Sequence, residues 1–521
     1  MSRMHSRLGV CSIWLFVILL SAPASAQQTP NQQAPTPSPP PQSPAPPDNS
    51  PAATFRSRTD LVLVPVVVRD HKGNHLPGLT KDAFRLQENG KDQTISVFEE
   101  VHPPAAEAKP SLAPDRGYSN LPFDNAHQLR YTILVIDLLN TSLFQRADAK
   151  ENLSKFLAKG VTADQPVSLL CITSKGLKQV QPFSTDPKAL IETLKKLDVG
   201  PESIMARTNR VIGAINQIRD IAQAYAGIPG RKTLIFAAGF MPELTSEAGI
   251  IPTSPYAGDL RRMWAALNNS NIAVYTFLLM DWSRNNSRGA VSRLDLHMRD
   301  FAESTGGGEC VEANGLMNCL DSAVEDSRSY YMLGFSVQPD DRKPGWRDLK
   351  VKVSAEHVEV RTRDGFYYGQ PSTPAPPTVH DQEINALASA VPLSAIPMFV
   401  KVLAPAATDA ATEAATGNDK KKTQFLMTIP LAGISIDPTQ SNPLDLEIGA
   451  IALTRDTREA AEFLHPVRGN PKPEIVQAWA RDGIKLQAEL DLPPGSYDMR
   501  FFARDNNTGQ IGTVVFPLDV K

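Results

Sequence analysis

The run Tyr131-Thr-Ile-Leu-Val-Ile-Asp137-Leu-Leu-Asn140-Thr141-Ser142 constrains the fold more than any other stretch of the chain. It is a short apolar run that ends in one carboxylate, followed by an amide and two hydroxyls. An amphipathic pattern from Leu143 to Leu157 follows at once. That order predicts a buried parallel strand whose C-terminal end carries polar groups into the loop before a helix. Ligands of open α/β sheets bind at such loops. An Asp beside hydroxyls is also the chemical start of a Mg²⁺ or Ca²⁺ site.

From Leu129 to about Gln338, strand and helix patterns alternate. Strand-like runs lie at Tyr131–Asp137, Val167–Thr173, Thr233–Ala238 and Ile272–Leu279. Helical patterns lie at Leu143–Ala158, Pro187–Leu197, Asn209–Tyr225, Asp259–Asn268 and Asp295–Glu303. Strands separated by helices pair in parallel through right-handed crossovers. The predicted class is therefore an α/β doubly wound, mostly parallel sheet over residues 128–340. Leu177 to Phe183 reads as one antiparallel edge strand turning at Lys175-Gly176, and Tyr330 to Val337 as the final strand.

Both flanks read as β structure. Residues 55–101 form an N-terminal β subdomain, with a strand at Leu61–Val68 and a capped helical turn at Thr80–Phe84. A hairpin from Arg85 to Phe98 folds over Asn89-Gly90, a strong two-residue turn signal. Residues 345–370 form a hairpin expected to close at Ala355-Glu356-His357 and to pack on that subdomain. Residues 383–521 are mostly strand pattern with turns at Pro493-Pro494-Gly495 and Asn506–Gly509, which predicts an immunoglobulin-like antiparallel β-sandwich. The Ala/Thr-rich tract Ala404 to Lys422 reads as a flexible loop within it.

The N-terminal residues read as a processing segment. A weakly basic start, an apolar core at Leu8–Leu20 and Ala24-Ser25-Ala26 predict a signal peptide over residues 1–26. Residues 27–54 are rich in Pro, Gln and Ser and read as an extended, disordered linker. The expected location is therefore exported: periplasmic, envelope-associated or secreted, with no transmembrane span in the mature chain. A formal net charge of -3, with no long basic run, argues against nucleic acid as a partner.

Several blocks carry a resemblance to a known family. The strand ending in Asp137 is similar to the first strand of a von Willebrand factor type A domain, whose metal-dependent adhesion motif begins Asp-x-Ser-x-Ser. That run, Asp60 to Glu99, Gly230-Arg-Lys-Thr-Leu-Ile-Phe and Glu325-Asp-Ser-Arg-Ser-Tyr-Tyr-Met-Leu-Gly-Phe together resemble the bacterial secreted VWFA-related domain family. The resemblance covers roughly residues 55–370. It implies a von Willebrand A-type fold and a metal site built from three loops, open to an acidic group on a protein partner.

This chain departs from that motif at two positions. Leu139 stands where the middle hydroxyl is expected, and Ala238 where the third loop would supply an Asp. What remains of the implied ligand set is Asp137, Thr141, Ser142 and Thr208, with Asn140 as a substitute oxygen and Glu243 and Asp281 on neighbouring loops. Losing a carboxylate is costly for Mg²⁺, which holds few protein ligands. Two readings stand: a weak Mg²⁺ or Ca²⁺ site, or an Asp137 that only caps the next helix or binds loop amides. The expectation is no cofactor.

Other chemistry is sparse. No His-Glu-x-x-His run or Gly-x-Ser-x-Gly elbow occurs, and Gly306-Gly307-Gly308 has no following Lys-Ser/Thr, so it reads as a helix stop. Cys171 reads as a buried thiol, and Cys310 with Cys319 as a disulfide in an oxidising compartment. The function expected is a secreted or envelope protein-binding, adhesion or scaffold protein and not an enzyme. The rival is an envelope hydrolase with its site around Asp137.

Overall fold

A computed structural model describes residues 61–102, 117–124, 129–162, 164–197, 205–239, 245–246, 249–250, 256–279, 298–310, 316–337, 343–369, 378–403 and 421–520. The signal-peptide and linker segments, the tract 404–420, Glu243 and Asp281 lie outside the described residues.

The expected class is overturned. Six sheets are present among the described residues; five are purely antiparallel and only one is mixed. A doubly wound, mostly parallel sheet of von Willebrand A type is thus not what organises this chain, and β structure outweighs helix. The alternation of strand and helix ends earlier than the sequence pattern indicates. Tyr330–Ser336 is not a further parallel strand: it pairs antiparallel with Leu61–Val66 on one side and Val97–Val101 on the other. An apolar strand after a helix has the same local pattern whichever partner it finds.

The mixed sheet runs in the order Gly308–Cys310, Ile272–Leu278, Lys232–Ala238, Thr132–Asp137, Val167–Thr173, Gly176–Ser184. Its first five strands are parallel, and Gly176–Ser184 closes it antiparallel after a tight turn at Ser174-Lys175. Every residue of Thr132–Asp137 is buried, which accounts for its continuous apolar run. Successive side chains serve opposite faces. Ile133, Val135 and Phe236 pack with helices Arg207–Ala224 and Ala257–Asn269. Leu134, Ile136 and Ile235 pack on the other face with helices Leu143–Gly160 and Pro187–Lys196.

Two small sheets share one core. Glu359–Arg361, Leu61–Arg69, Tyr330–Ser336 and Val97–Val101 form the first; Gly365–Tyr368, Gly345–Val353, Phe84–Glu88 and Lys91–Gln93 the second. Asn89 and Gly90 both take positive φ (48° and 77°), the geometry a two-residue hairpin turn requires. The second half of the hairpin expected over residues 345–370 is split: Glu359–Arg361 joins the first sheet and Gly365–Tyr368 the second. Thr80 makes no side-chain cap, and Lys81–Ala83 is a single 3₁₀ turn.

A buried carboxylate joins these sheets to the mixed sheet. Asp326, on helix Leu316–Arg328, accepts from Arg69 Nε at 2.7 Å and from the Tyr275 hydroxyl, with Arg361 Nη1 at 3.5 Å. The three glycines beside it are steric. A Cβ on Gly307 would stand 1.8 Å from the Val274 carbonyl oxygen, and Gly306 takes φ 74° against the backbone of Thr362 and Arg363.

The C-terminal region is two four-stranded antiparallel sheets around one core that includes Phe425, Met427, Phe501 and Phe516. One sheet runs Ile484–Leu492, Lys421–Ile429, Phe399–Val402, Tyr118–Ser119; the other Glu459–Gly469, Leu444–Thr454, Gly495–Asp505, Ile511–Val520. Tyr118 stacks on Phe516, ring centroids 3.9 Å apart, so a segment between the first two regions is part of this sandwich. Ser394 docks it on the mixed sheet's helices, its hydroxyl donating to the Ala224 carbonyl at 2.7 Å and accepting from Gly227 N–H at 3.0 Å.

Candidate functional site

The central strand Thr132–Asp137 has neighbours that follow it in the chain on opposite sides: Val167–Thr173 on one, Lys232–Ala238 on the other. The crevice at the carboxyl ends of these strands is where an open sheet of this kind offers a ligand site. Asp137 and Gly239 lie on its two sides.

Asp137 is turned inward, 1% exposed. Its Oδ1 accepts from the backbone N–H groups of Leu139 at 2.8 Å and Asn140 at 3.1 Å; its Oδ2 accepts from Asn140 Nδ2 at 2.8 Å. Burial pushes its carboxyl up to about 6, against the opposing pull of the Asn140 and Leu139 hydrogen bonds and the Arg146 charge. Both oxygens therefore serve the loop that follows the strand.

The rest of the loop is closed in the same way. Thr141 Oγ1 accepts the Gly239 N–H at 3.0 Å, a bond that spans the crevice. Gln145 Oε1 accepts from the Ser142 N–H at 2.9 Å, and its Nε2 donates to the Leu279 carbonyl at 2.5 Å. A Cβ on Gly239 would stand 2.4 Å from Gln145 Oε1, so the amide fills the space above that glycine. The buried Arg146 guanidinium donates to the carbonyls of Thr141 (3.0 Å) and Leu138 (2.5 Å).

The sequence-derived candidates separate into two groups. Asp137, Thr141 and Ser142 are brought together by this loop; Thr208 is exposed in the first turn of Arg207–Ala224, and no hydrogen bond joins it to them among the described residues. Gln145 and Arg146 are the functional-loop residues that sequence reasoning missed. The first had a local signal, since Ser142-x-x-Gln145 is a capping-box spacing. Arg146 had none, because a charged residue in a helical pattern reads as solvated surface.

The loop does not fit a Mg²⁺ or Ca²⁺ ion. Three donors already address the two Asp137 oxygens, and Leu139 and Ala238 are both buried in the apolar core beneath. No group of three or more His, Cys, Asp or Glu among the described residues could hold a metal.

Two large apolar side chains stand at the same edge. Leu143 and Phe144, the first residues of helix Leu143–Gly160, are 47% and 63% exposed.

Cys171 is buried and free, its thiol pushed up to about 12 by burial. Cys310 is buried in the Gly308–Cys310 strand, and the Cys319 side chain lies outside the described residues.

No protein-family model matches the chain, and no curated protein matches it. Among solved structures it is similar to an aerotolerance-related membrane protein from Bacteroides fragilis carrying multiple mutations to serine. That pair shares 15% identity over 38% of this chain and 98% of the other, with a TM-score of 0.25. It is also similar to proximal thread matrix protein 1 from the mussel byssus, at 10% identity over 38% of this chain and 47% of that one, with a TM-score of 0.26. TM-scores this low carry no argument about fold or function. No described helix is long and apolar enough to cross a membrane.

Proposed function

We propose that the chain is an exported protein-binding module, a relative of the bacterial VWFA-related domain family by its sequence blocks, that engages a partner protein at the carboxyl edge of the mixed sheet. One observation supports the reading: Leu143 and Phe144 are 47% and 63% exposed beside a loop whose Asp137 and Thr141 oxygens accept hydrogen bonds from within the protein. A large exposed aromatic on a rigid support is the kind of anchor protein interfaces use. Binding there needs no metal, because Asp137 shapes the loop and does not reach the partner.

The hydrolase reading draws on the raised Asp137 carboxyl, since perturbed carboxyls cluster at catalytic sites. Burial is the largest cause of that shift, and the Asp137 side chain is 1% exposed.

The test is a photo-crosslinking phenylalanine analogue placed at Phe144 in the producing cells, with Lys155 as a control on the same helix. A discrete protein adduct at Phe144 and not at Lys155 is expected, unchanged by EDTA. Exported chain that gives no adduct at Phe144, or the same adducts at both positions, overturns the proposal.

A further inference from the structure

Glu459–Gly469 and Ile484–Leu492 are each the outermost strand of one sandwich sheet among the described residues. The 11-residue strand Glu459–Gly469 is long for an edge, where natural sheets favour short strands. Phe463 and Val467 pack on the sandwich core, whereas Glu462, Leu464, Pro466 and Arg468 are exposed on the other face, Leu464 by 55%. Pro466 has no N–H, and a strand accommodates a proline where that position points away from the ladder. Glu462, Leu464 and Arg468 alternate in step with Pro466, so their N–H and C=O groups share its outward side.

Charge along this strand is polarised. Glu459 and Glu462 lie in its first half, and burial together with the nearby Glu462 holds the Glu459 carboxyl above its usual range. No ion pair or hydrogen bond neutralises the Glu462 side chain among the described residues. The second half carries Arg468, whose Nε donates to Asp445 Oδ1 at 2.9 Å and whose side chain is still 48% exposed. By contrast, Glu489 on the other edge strand is settled within its own sheet, accepting from Lys422 Nζ at 2.8 Å and Gln424 Nε2 at 3.1 Å.

We propose that Glu459–Gly469 pairs antiparallel with the same strand of a second copy of this chain, joining two sandwich sheets about a two-fold axis at His465. Residues directly opposite each other must share a face, so the axis passes through a residue and not between two. With the axis at His465, Glu462 stands opposite Arg468 of the second copy at both ends. Leu464 meets Pro466 on the exposed face, and Phe463 meets Val467 on the core side. An axis at Leu464 would set Glu462 against Pro466, and one at Phe463 would set it against Leu464. Only the axis at His465 sets Glu462 against Arg468. Opposite charges directly across strands stabilise a pair, and like charges there destabilise it. A contact confined to one strand edge is small, so the dimer is weak and reversible.

Sedimentation velocity of the full chain over about 5–500 µM should show a reversible monomer–dimer equilibrium. A chain that stays monomeric throughout overturns the proposal, and so covers the case in which the edge accepts a strand of another protein instead. Glu462→Arg and Arg468→Glu should each weaken self-association at least about tenfold, because each sets like charges opposite one another at both ends. An equimolar mixture of the two variants should associate like the parent, since every charged pair across the strands is then complementary. A dimer insensitive to both changes, or a mixture that stays monomeric, overturns the edge pairing. If Arg468→Glu does not fold for loss of its bond to Asp445, cysteine substitution in the full chain decides. His465→Cys should form an interchain disulfide on mild oxidation, and Ala460→Cys, far from its counterpart in this register, should not. Equal cross-linking at both positions, or none at His465→Cys, overturns it.

Discussion

Leu139 lies over Gly213 of the helix Arg207–Ala224, its Cδ1 3.3 Å from where a Cβ on that glycine would stand. The position that would carry a hydroxyl in a metal-binding loop is thus committed to the apolar core, and its own backbone N–H to Asp137. Restoring the hydroxyl as Leu139→Ser removes a buried side chain and leaves a polar group facing hydrocarbon. The expected cost is about 3 kcal/mol, in the range of large-to-small core changes. Urea midpoints measure it. Mg²⁺ should give the variant no protection, whereas a working site at hundredfold excess over its Kd would add about 2.7 kcal/mol.

Asp137 should make stability fall as pH rises. Its folded carboxyl holds a proton up to about 6, against an ordinary value of 3.8, so the native state binds that proton more tightly than the unfolded chain. The contribution is fully present below about pH 4 and is lost as pH climbs through about 6. Its size is at most about 3 kcal/mol. Asp137→Asn removes the titration while keeping an acceptor for the Leu139 and Asn140 N–H groups. Asn140 can then rotate to offer its Oδ1, which is buried and without a partner in the native loop. The variant should match the parent near pH 4 and exceed it near pH 7.5 by about 1–3 kcal/mol. Urea midpoints at the two pH values check this; a variant weaker than the parent at both would refute it.

How much of this could be read beforehand depended on range along the chain. The strand Thr132–Asp137 and the turn at Asn89-Gly90 are encoded by adjacent residues, through burial on both faces and through φ preference. The Ser142–Gln145 bond was equally local. What the Asp137 loop meets was not: Gly239 and Leu279 come from distant strands, and nothing in their own neighbourhoods announces Thr141 or Gln145. The same limit misplaced Tyr330–Ser336, whose partners Leu61–Val66 are neighbours in the sheet but lie far away in the sequence. Strand Glu459–Gly469 announces itself weakly, because its half-exposed, charged alternation and its Pro466 suit a sheet edge more than a buried strand.

Cys310 and Cys319 should form a disulfide in an oxidising compartment, with Cys171 left as a thiol. Cys310 is at the end of a strand and Cys319 on the next helix, Leu316–Arg328, so the closed loop is short. Its loss should cost roughly 2–3 kcal/mol by the loop-closure relation. Cys171, buried and with its thiol pushed up to about 12, should resist alkylation until the protein unfolds. Mass mapping of non-reduced peptides decides both points. A bridge using Cys171, or alkylation of Cys310 and Cys319 in the native, unreduced protein, would refute them.

Asp326 should be the most sensitive single position in the joint between the mixed sheet and the small β sheets. Its carboxylate is 1% exposed and takes donors from three separate strands: Arg69, Tyr275 and Arg361. Arg69 also donates to the Ser322 carbonyl at 2.7 Å, so removing the acid would not free the guanidinium to reach water. Asp326→Ala therefore leaves a buried positive charge without its counter-ion, at an expected cost of about 3–5 kcal/mol. Arg69→Met alone leaves Asp326 with Tyr275 and Arg361 and should cost less. Adding Arg69→Met to Asp326→Ala should recover at least about 1 kcal/mol, because the stranded charge is then gone. Urea unfolding of the four proteins gives the coupling directly. Simple additivity would mean that the pair contributes only packing, and that the sheets are joined by their apolar contacts alone.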